Sequence, residues 1–544
     1  MKKILSLTLA AVFAALAVAC APKKDAGKLT IQDAANAAPA NAEMFLAVDS
    51  PKKLQEEILS QKGAKEFMQA SLDSPAAQKF FEAAFENMPE EFKSKINAKT
   101  VLDFARAYEQ TPEDFFLAVA AATKENSCDI KFIVLKHSLF AKKVKELLEE
   151  KKLEKSQKDG FEFYKKADFV VAFKGALLIF ADNEEAALKV ASDLKLKAPR
   201  ENSFAASEKF QKLMGLEKNP IVACFIDAKN QPKGNFDGCL FFAYSMQNLN
   251  NASGVLKIDL GKKFDEMLAQ EDAKLYEVLV KSRLARNSLL KNSLPNSTFA
   301  LALAVPEITD GLESELLKNM DGDAIENKMV LSILKNAGIK NLCLSLGELD
   351  PESISNIQEK TPEAFLKIEA ADTDAVFKNE MVLQLLNSPF LSPLKIGEDT
   401  VYSGMFNLKI AQASKSCAAA STMKDVEKMM SLARGKGKSL AGNKDAQALV
   451  NELPEGDAAE FFIDVKALSL LSNAMQNQVE SDLGDRVDAD WKTARQYQSA
   501  IEKAYKKMLI AGGVKLEPKE ITITFKAFAE YDYELGAKLL KEIK

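Results

Sequence analysis

The chain has 544 residues, 47% of them hydrophobic and 28% charged, with a formal net charge of −5. A chain of this size and make-up can bury several cores without a metal or disulfide staple. Its 73 basic residues are interspersed among 78 acidic ones, which excludes the clustered basic footprint of a nucleic-acid partner.

Lys2 and Lys3 precede an apolar run, Ile4 to Val18, that is shorter than the roughly 20 residues a membrane-spanning helix requires. A basic start, an apolar middle and small residues at the end read as an export signal over residues 1–19. The run closes as Leu16-Ala17-Val18-Ala19-Cys20, which resembles the lipobox of bacterial lipoproteins. That resemblance implies cleavage before Cys20, acylation of its sulfur and new amino group, and a membrane partner reached through that anchor. In the lipoproteins it resembles, Asp directly after the cysteine marks retention at the inner membrane. Ala21 stands there, so the resemblance implies the outer membrane, with the globular part periplasmic or surface-exposed. Residues 20–41 are rich in Ala, Asn, Lys and Asp with little apolar periodicity, and read as a flexible tether.

Beyond the tether the sequence repeats itself. "APANAEMFLAVDSPKKL" (Ala38 to Leu54) is echoed by "LPNSTFALALAVPEITDGL" (Leu294 to Leu312), each a proline, a polar turn, a strand and a helix start. Phe225-Ile-Asp-x-Lys229 is echoed in the same order by Phe462-Ile-Asp-x-Lys466. Between these markers lie hairpins feeding helices, Asp168 to Phe173 with Ala176 to Ala181, and Met405 to Ala411 with Ser416 to Ser421. No apolar run after the leader is long enough to span a membrane, since Phe169 to Ala181 is broken at Lys174-Gly175. Alternation of Ile521, Ile523 and Phe525 with Thr522, Thr524 and Lys526 predicts one buried and one wet face. The expected fold is α+β: two similar tandem lobes, 42–292 and 293–544, each a mainly antiparallel sheet whose hairpins feed helices covering one face. This organisation is similar to that of families of bacterial lipoproteins classed as domains of unknown function, and the similarity implies a fold rather than an activity.

Few residues point to chemistry. Cys128, Cys224, Cys239, Cys343 and Cys417 form an odd set without CxxC spacing, in apolar strand-like contexts that predict buried free thiols, although Cys224 and Cys239 could sit on neighbouring strands. The sole histidine, His137, is expected at a strand-to-helix junction and partly solvated, with no local motif marking triad partners. "RGKGKSLAG" (Arg434 to Gly442) ends like a phosphate loop, but Leu432 stands where the first glycine belongs and helical sequence precedes it. Ser-x-x-Lys recurs at Ser50, Ser288 and Ser332 without the companion motifs of penicillin-binding proteins.

Two acidic runs could hold calcium. "DGDAIE" lacks a ligand at Ile325, whereas Asp482, Asp485, Asp488 and Asp490 crowd together ahead of a helix, where caps and favourable end charges also explain them. Asp49, Asp227 and Asp464 end strands where helices begin and are expected to cap them. No cofactor is expected, and no catalytic residue is assigned.

These readings favour a non-enzymatic cell-envelope lipoprotein that binds or scaffolds an envelope protein or glycan. A carrier of an apolar ligand in an interlobe pocket is the alternative, suggested by 33 Phe against one Trp. A carboxylate-based hydrolase is the third, requiring two carboxyl groups about 5 to 9.5 Å apart in a groove.

Overall fold

The computed structural model describes residues 28–50, 52–75, 114–124, 127–166, 169–196, 198–229, 237–267, 273–285, 287–310, 312–313, 317, 328, 331–332, 335–348, 363–396, 399–404, 408–413, 415–421, 423, 426–454, 457–469 and 489–543. The fold is mixed α and β and is dominated by antiparallel sheet. Two compact units form, one from residues 1–261, 485–506 and 529–544, the other from 262–484 and 507–528.

In the first unit the strands are β1 (Met44–Ser50), β2 (Phe115–Lys124), β3 (Ser127–Lys136), β4 (Glu154–Lys158), β5 (Phe161–Lys166), β6 (Phe169–Lys174), β7 (Leu177–Ala181), β8 (Val222–Asp227), β9 (Cys239–Met246) and β10 (Asn251–Asp259). They pair antiparallel in the order β10-β9-β8-β1-β2-β3-β7-β6-β5-β4. The helices are α1 (Ile31–Ala37), α2 (Lys52–Leu59), α3 (Ala64–Asp73), α4 (Ser138–Glu150), α5 (Glu184–Asp193) and α6 (Glu208–Met214).

Helices cover both faces of this sheet, not one as expected. Phe45, Ala47, Phe116 and Phe132 pack on one side with α1, α5 and α6, while Met44, Leu46, Val48 and Val119 pack on the other with Phe140 and Ala141 of α4. The reason is written in β1 and β2: "MFLAVDS" and "FFLAVAAATK" are apolar runs rather than alternations, the pattern of strands buried on both sides.

Residues 28–41, expected as tether, belong to this core. Thr30 caps α1 through a capping box with Asp33, and Ile31, Ala34, Ala35 and Ala37 are buried against the sheet. Small alanines on successive turns let a helix approach a sheet closely, a signal that composition alone hides.

The second unit holds β11 (Phe299–Ala304), β12 (Ile339–Leu346), β13 (Ala364–Ala370), β14 (Leu391–Ile396), β15 (Asp399–Gly404), β16 (Lys409–Ala413), β17 (Ser416–Ser421), β18 (Ala459–Asp464) and most of β19 (Tyr505–Glu517) and β20 (Glu520–Tyr531). Their order is β20-β19-β18-β11-β12-β13-β17-β16-β15-β14, again antiparallel, which matches the first sheet strand for strand. Single backbone hydrogen bonds recur too: Asp227 N to Glu43 O at 2.7 Å corresponds to Asp464 N to Thr298 O at 2.8 Å, and Phe204 N to Ala38 O at 2.9 Å to Leu440 N to Ser293 O at 3.1 Å.

Its helices include α7 (Lys262–Met267), α8 (Ala273–Lys281), α9 (Ser288–Asn292), α10 (Thr373–Phe377), α11 (Glu380–Leu386), α12 (Val426–Ala433) and α13 (Lys444–Val450). Leu289, Ala302, Ala446, Phe462 and Ala511 make one core, and Met429 and Met430 pack beside it on Phe365. On the opposite face, Phe377 and Leu386 of α10 and α11 pack with Cys417 and Ile368. Two further helices, α14 (Ala489–Ala504) and α15 (Tyr533–Lys541), lie in the first unit, where Tyr497, Ala500 and Leu540 pack on Phe67 and Ala70 of α3.

The expected division of β20 into one buried and one wet face is not seen, since Thr522 and Lys526 are half-buried as Ile521, Ile523 and Phe525 are. Phe528 packs on the helix-covered core and Thr524 is buried, whereas Ile521, Ile523 and Phe525 are only half-buried.

Candidate functional site

A hollow of about 630 Å³ opens in the first unit between α4 and the ends of two hairpins. Ser138, Ala141, Lys142 and Lys145 line it from α4; Gln157, Lys158, Asp159, Gly160, Phe161 and Glu162 from the β4–β5 hairpin; Phe173, Lys174 and Gly175 from the β6–β7 turn. Asp159 and Gly160 turn with φ of 53° and 75°, and Gly175 with φ of 59°, so both loops are two-residue turns that bring lysines to one rim.

The lining carries four lysines against two acids. One acid is already engaged: Lys145 donates to Glu162, which also accepts from Tyr164 Oη at 2.9 Å. The Lys145 ammonium holds the Glu162 carboxyl below the usual carboxylate range. Lys174 Nζ sits 4.9 Å from the centre of the Phe161 ring and donates to Asp159 O at 3.5 Å. Lys142 is exposed on the α4 side, whereas Lys158 is exposed beside Phe161 on the opposite face, where its charge acts on the Glu184 carboxylate. Ala141 and Phe173 form a buried apolar floor on the α4 side, while Phe161 is buried on the opposite face of the sheet. The hollow is suited to hold an anionic group beside a small apolar surface.

A second constellation lies in the other unit, on the face covered by α9. Register places Glu460 beside Ala302, Ala302 beside Cys343 and Cys343 beside Lys367, one residue from each of four adjacent strands. The same register positions of the first unit hold Ala223, Ala47, Ala118 and Val134. Lys367 Nζ donates to Asn292 Oδ1 at 2.8 Å, Glu460 Oε2 accepts from Leu289 N at 3.3 Å, and Cys343 Sγ lies 3.2 Å from Ser293 Oγ.

Burial lowers the Lys367 pKa, raises that of Glu460, and pushes the Cys343 thiol up to about 11. Nearby Asp457, only 2% exposed, is pushed up to about 6 by burial. The row is a closed, hydrogen-bonded layer that fixes α9.

Other sequence-level candidates fall as follows. Cys20, Asp482, Asp485 and Asp488 lie outside the described residues, as does "DGDAIE"; Asp490 falls in α14, with its side chain outside the description. Among the described residues no group of three or more His, Cys, Asp or Glu side chains is placed to hold a metal, and no helix is long and apolar enough to cross a membrane.

His137 does sit between β3 and α4, but it is buried rather than partly solvated. Its Nδ1 accepts from Phe140 N at 3.4 Å and its backbone N–H donates to Ala176 O, so it caps α4 and ties it to the β6–β7 turn. Cys224, Cys239, Cys343 and Cys417 are free thiols; Cys224 and Cys239 lie on paired strands, where Cys224 faces Phe242 and Cys239 faces Asp227.

In "RGKGKSLAG" the N–H groups of Lys436 and Gly437 point back to Ser431 O of α12, with Gly435 at φ 69°, a helix C-terminal stop and not a phosphate cradle. Asp464 Oδ1 caps the following helix at Ala467 N. Asp227 instead takes Lys209 and the Lys229 N–H, and Asp49 pairs with Lys28 at 2.8 Å. Of the Ser-x-x-Lys copies, Ser288 accepts from Asn292 and Lys335 pairs with Asp310 and Glu313, so neither serine meets its lysine.

No sequence motif marks the hollow, because its lysines come from three separated segments. In comparisons with known proteins, no family model, no curated protein and no solved structure matches the chain.

Proposed function

We propose that the protein is a non-enzymatic, lipid-anchored binding module of the cell envelope, made of one α+β unit and a diverged internal duplicate of it. The lysine-rimmed hollow of the first unit, a preformed concavity with convergent polar groups, carries this reading and is its ligand site. Its own carboxylate supports a binding role, since Glu162 is held ionised by Lys145 and acts as a fixed charge rather than a proton donor. Duplication is supported by the shared strand order and by the recurring backbone hydrogen bonds. The lipobox-like ending at Cys20 supports anchoring, and Ala21 after it supports the outer membrane.

Expression with the native leader, gentle release from the envelope and native mass spectrometry test this proposal, with Cys20→Ser as the control. The expected result is acyl mass on the wild type alone and a discrete further species retained by both proteins. An unacylated wild type contradicts the anchor. Turnover of an envelope glycan that is lost in Glu162→Gln contradicts the non-enzymatic reading.

A further inference from the structure

We infer that the first unit docks on a lipid bilayer through one end of its sheet, the end where β1 stops at Asp49, an inference that depends on the anchor at Cys20 proposed above. Residues 28–41 are core rather than tether. Thr30 caps α1, Leu29 packs on the core beneath it, and Lys28 Nζ pairs with Asp49 at 2.8 Å, both side chains being largely buried. Only residues 21–27 therefore separate Cys20 from the folded unit. Fully extended, that connection spans about 28 Å.

Register follows this end across the sheet. Asp49 faces Phe116, Phe116 faces Lys136 and Lys136 faces Leu177, and the turns at Lys174-Gly175 and Asp159-Gly160 lie at the same level. Val48 faces Val222 in the other direction, which puts Lys218 there too. The opposite end is roughly 27 Å away, the length of β2 from Phe116 to Lys124. It meets a bilayer only with the whole connection stretched along the sheet, whereas the Asp49 end meets it with slack.

Charge separates this end from the flank beside it. Lys142, Lys158, Lys174 and Lys218 are exposed at the end, against exposed Asp159 and Glu56. Lys142 stands on one face of the sheet and Lys158 and Lys174 on the other, so no ligand-sized molecule meets them all; a bilayer met end-on does. The flank around α5 and α6 sets exposed Glu185, Glu201 and Glu208 against Lys189 and Lys195. Anionic lipid attracts the first surface more than the second.

Lysine footprinting tests the inference. Acylated protein on vesicles of phosphatidylcholine and phosphatidylglycerol is compared with the full chain carrying Cys20→Ser, free in the same buffer. Both are treated with an amine-reactive reagent that does not cross the bilayer, and the rate at each lysine is read by peptide mass spectrometry. Labelling of Lys142, Lys158, Lys174 and Lys218 is expected to slow about threefold or more on the vesicles. Lys189 and Lys195 on the flank, and Lys151 and Lys152 at the opposite end of the sheet, keep their rates. Equal rates at all eight lysines in both samples, or slowing centred on the flank or the opposite end, overturns the docking and leaves the anchor standing. Wild-type protein without acyl mass removes both.

Discussion

Lys367 Nζ lies 2.8 Å from Asn292 Oδ1 beneath α9, at a register position where the first unit has Val134. Taking an ammonium out of water costs several kcal/mol unless its partners are well placed, and replacing a buried polar pair by apolar residues is often stabilising. Lys367→Val/Asn292→Ala is therefore expected to raise unfolding stability by roughly 1–3 kcal/mol in urea titrations. Lys367→Val alone gains less, because it leaves the Asn292 carboxamide buried without its donor. A double variant less stable than wild type would show that the polar row holds the unit together.

Asp457 gives that unit a pH dependence of known sign. Burial raises its carboxyl to about 6, above the unfolded value, so the folded state binds the proton more tightly. Its contribution is fully present below pH about 4 and is lost as pH rises through about 6. Asp457→Asn should abolish this slope and gain roughly 1–3 kcal/mol on wild type at pH about 7.5. Parallel stability curves for the two proteins between pH 4 and 7 would refute the assignment.

The segment before β1 offers a cleaner choice between tether and core. Thr30→Ala removes the capping box, at a cost of about 1 kcal/mol, and Ala34→Leu overpacks a fully buried site, costing about 1–3 kcal/mol. Denaturant midpoints unchanged in both variants would mean that residues 28–41 contribute no folding energy.

Glu162 competes with an anion for the hollow's cations. Glu162→Gln frees Lys145 and should tighten binding of an anion such as inorganic pyrophosphate a few-fold, an effect that fades with added salt as partly exposed charges are screened. Weaker binding in this variant would place the anion elsewhere.

Much of the fold is legible in the chain. The paired Phe-Ile-Asp-x-Lys segments mark β8 and β18, and the two proline-led echoes mark β1 and β11, which pair with them inside each sheet. Inside and outside are less legible, because period-2 alternation names two faces without saying which one a helix covers. Phe528 packs on the core under α9 and α13, and in "AFLKIEA" Phe365 and Lys367 face α12 and α9 while Ile368 faces α10 and α11 on the other side. A lysine between apolar residues reads as solvent-facing until register sets it beside Cys343.

The hollow was beyond sequence reasoning for a different reason. Lys142, Lys158 and Lys174 are each ordinary surface lysines locally, and it is the pairing of β7, β6, β5 and β4 that sets the two turns beside the first turns of α4. The hairpins themselves are local, but the β3–β7 pairing that sets them beside α4 joins segments about forty residues apart, which local periodicity does not encode.

Native mass spectrometry of protein released from the envelope, wild type against Gln157→Trp, tests the binding account most directly. Gln157 is exposed on the wall of the hollow, so tryptophan fills it without removing a charge. A discrete non-covalent species is expected on the wild type and is missing from the variant. The same species at equal occupancy on both proteins would contradict the hollow as the ligand site.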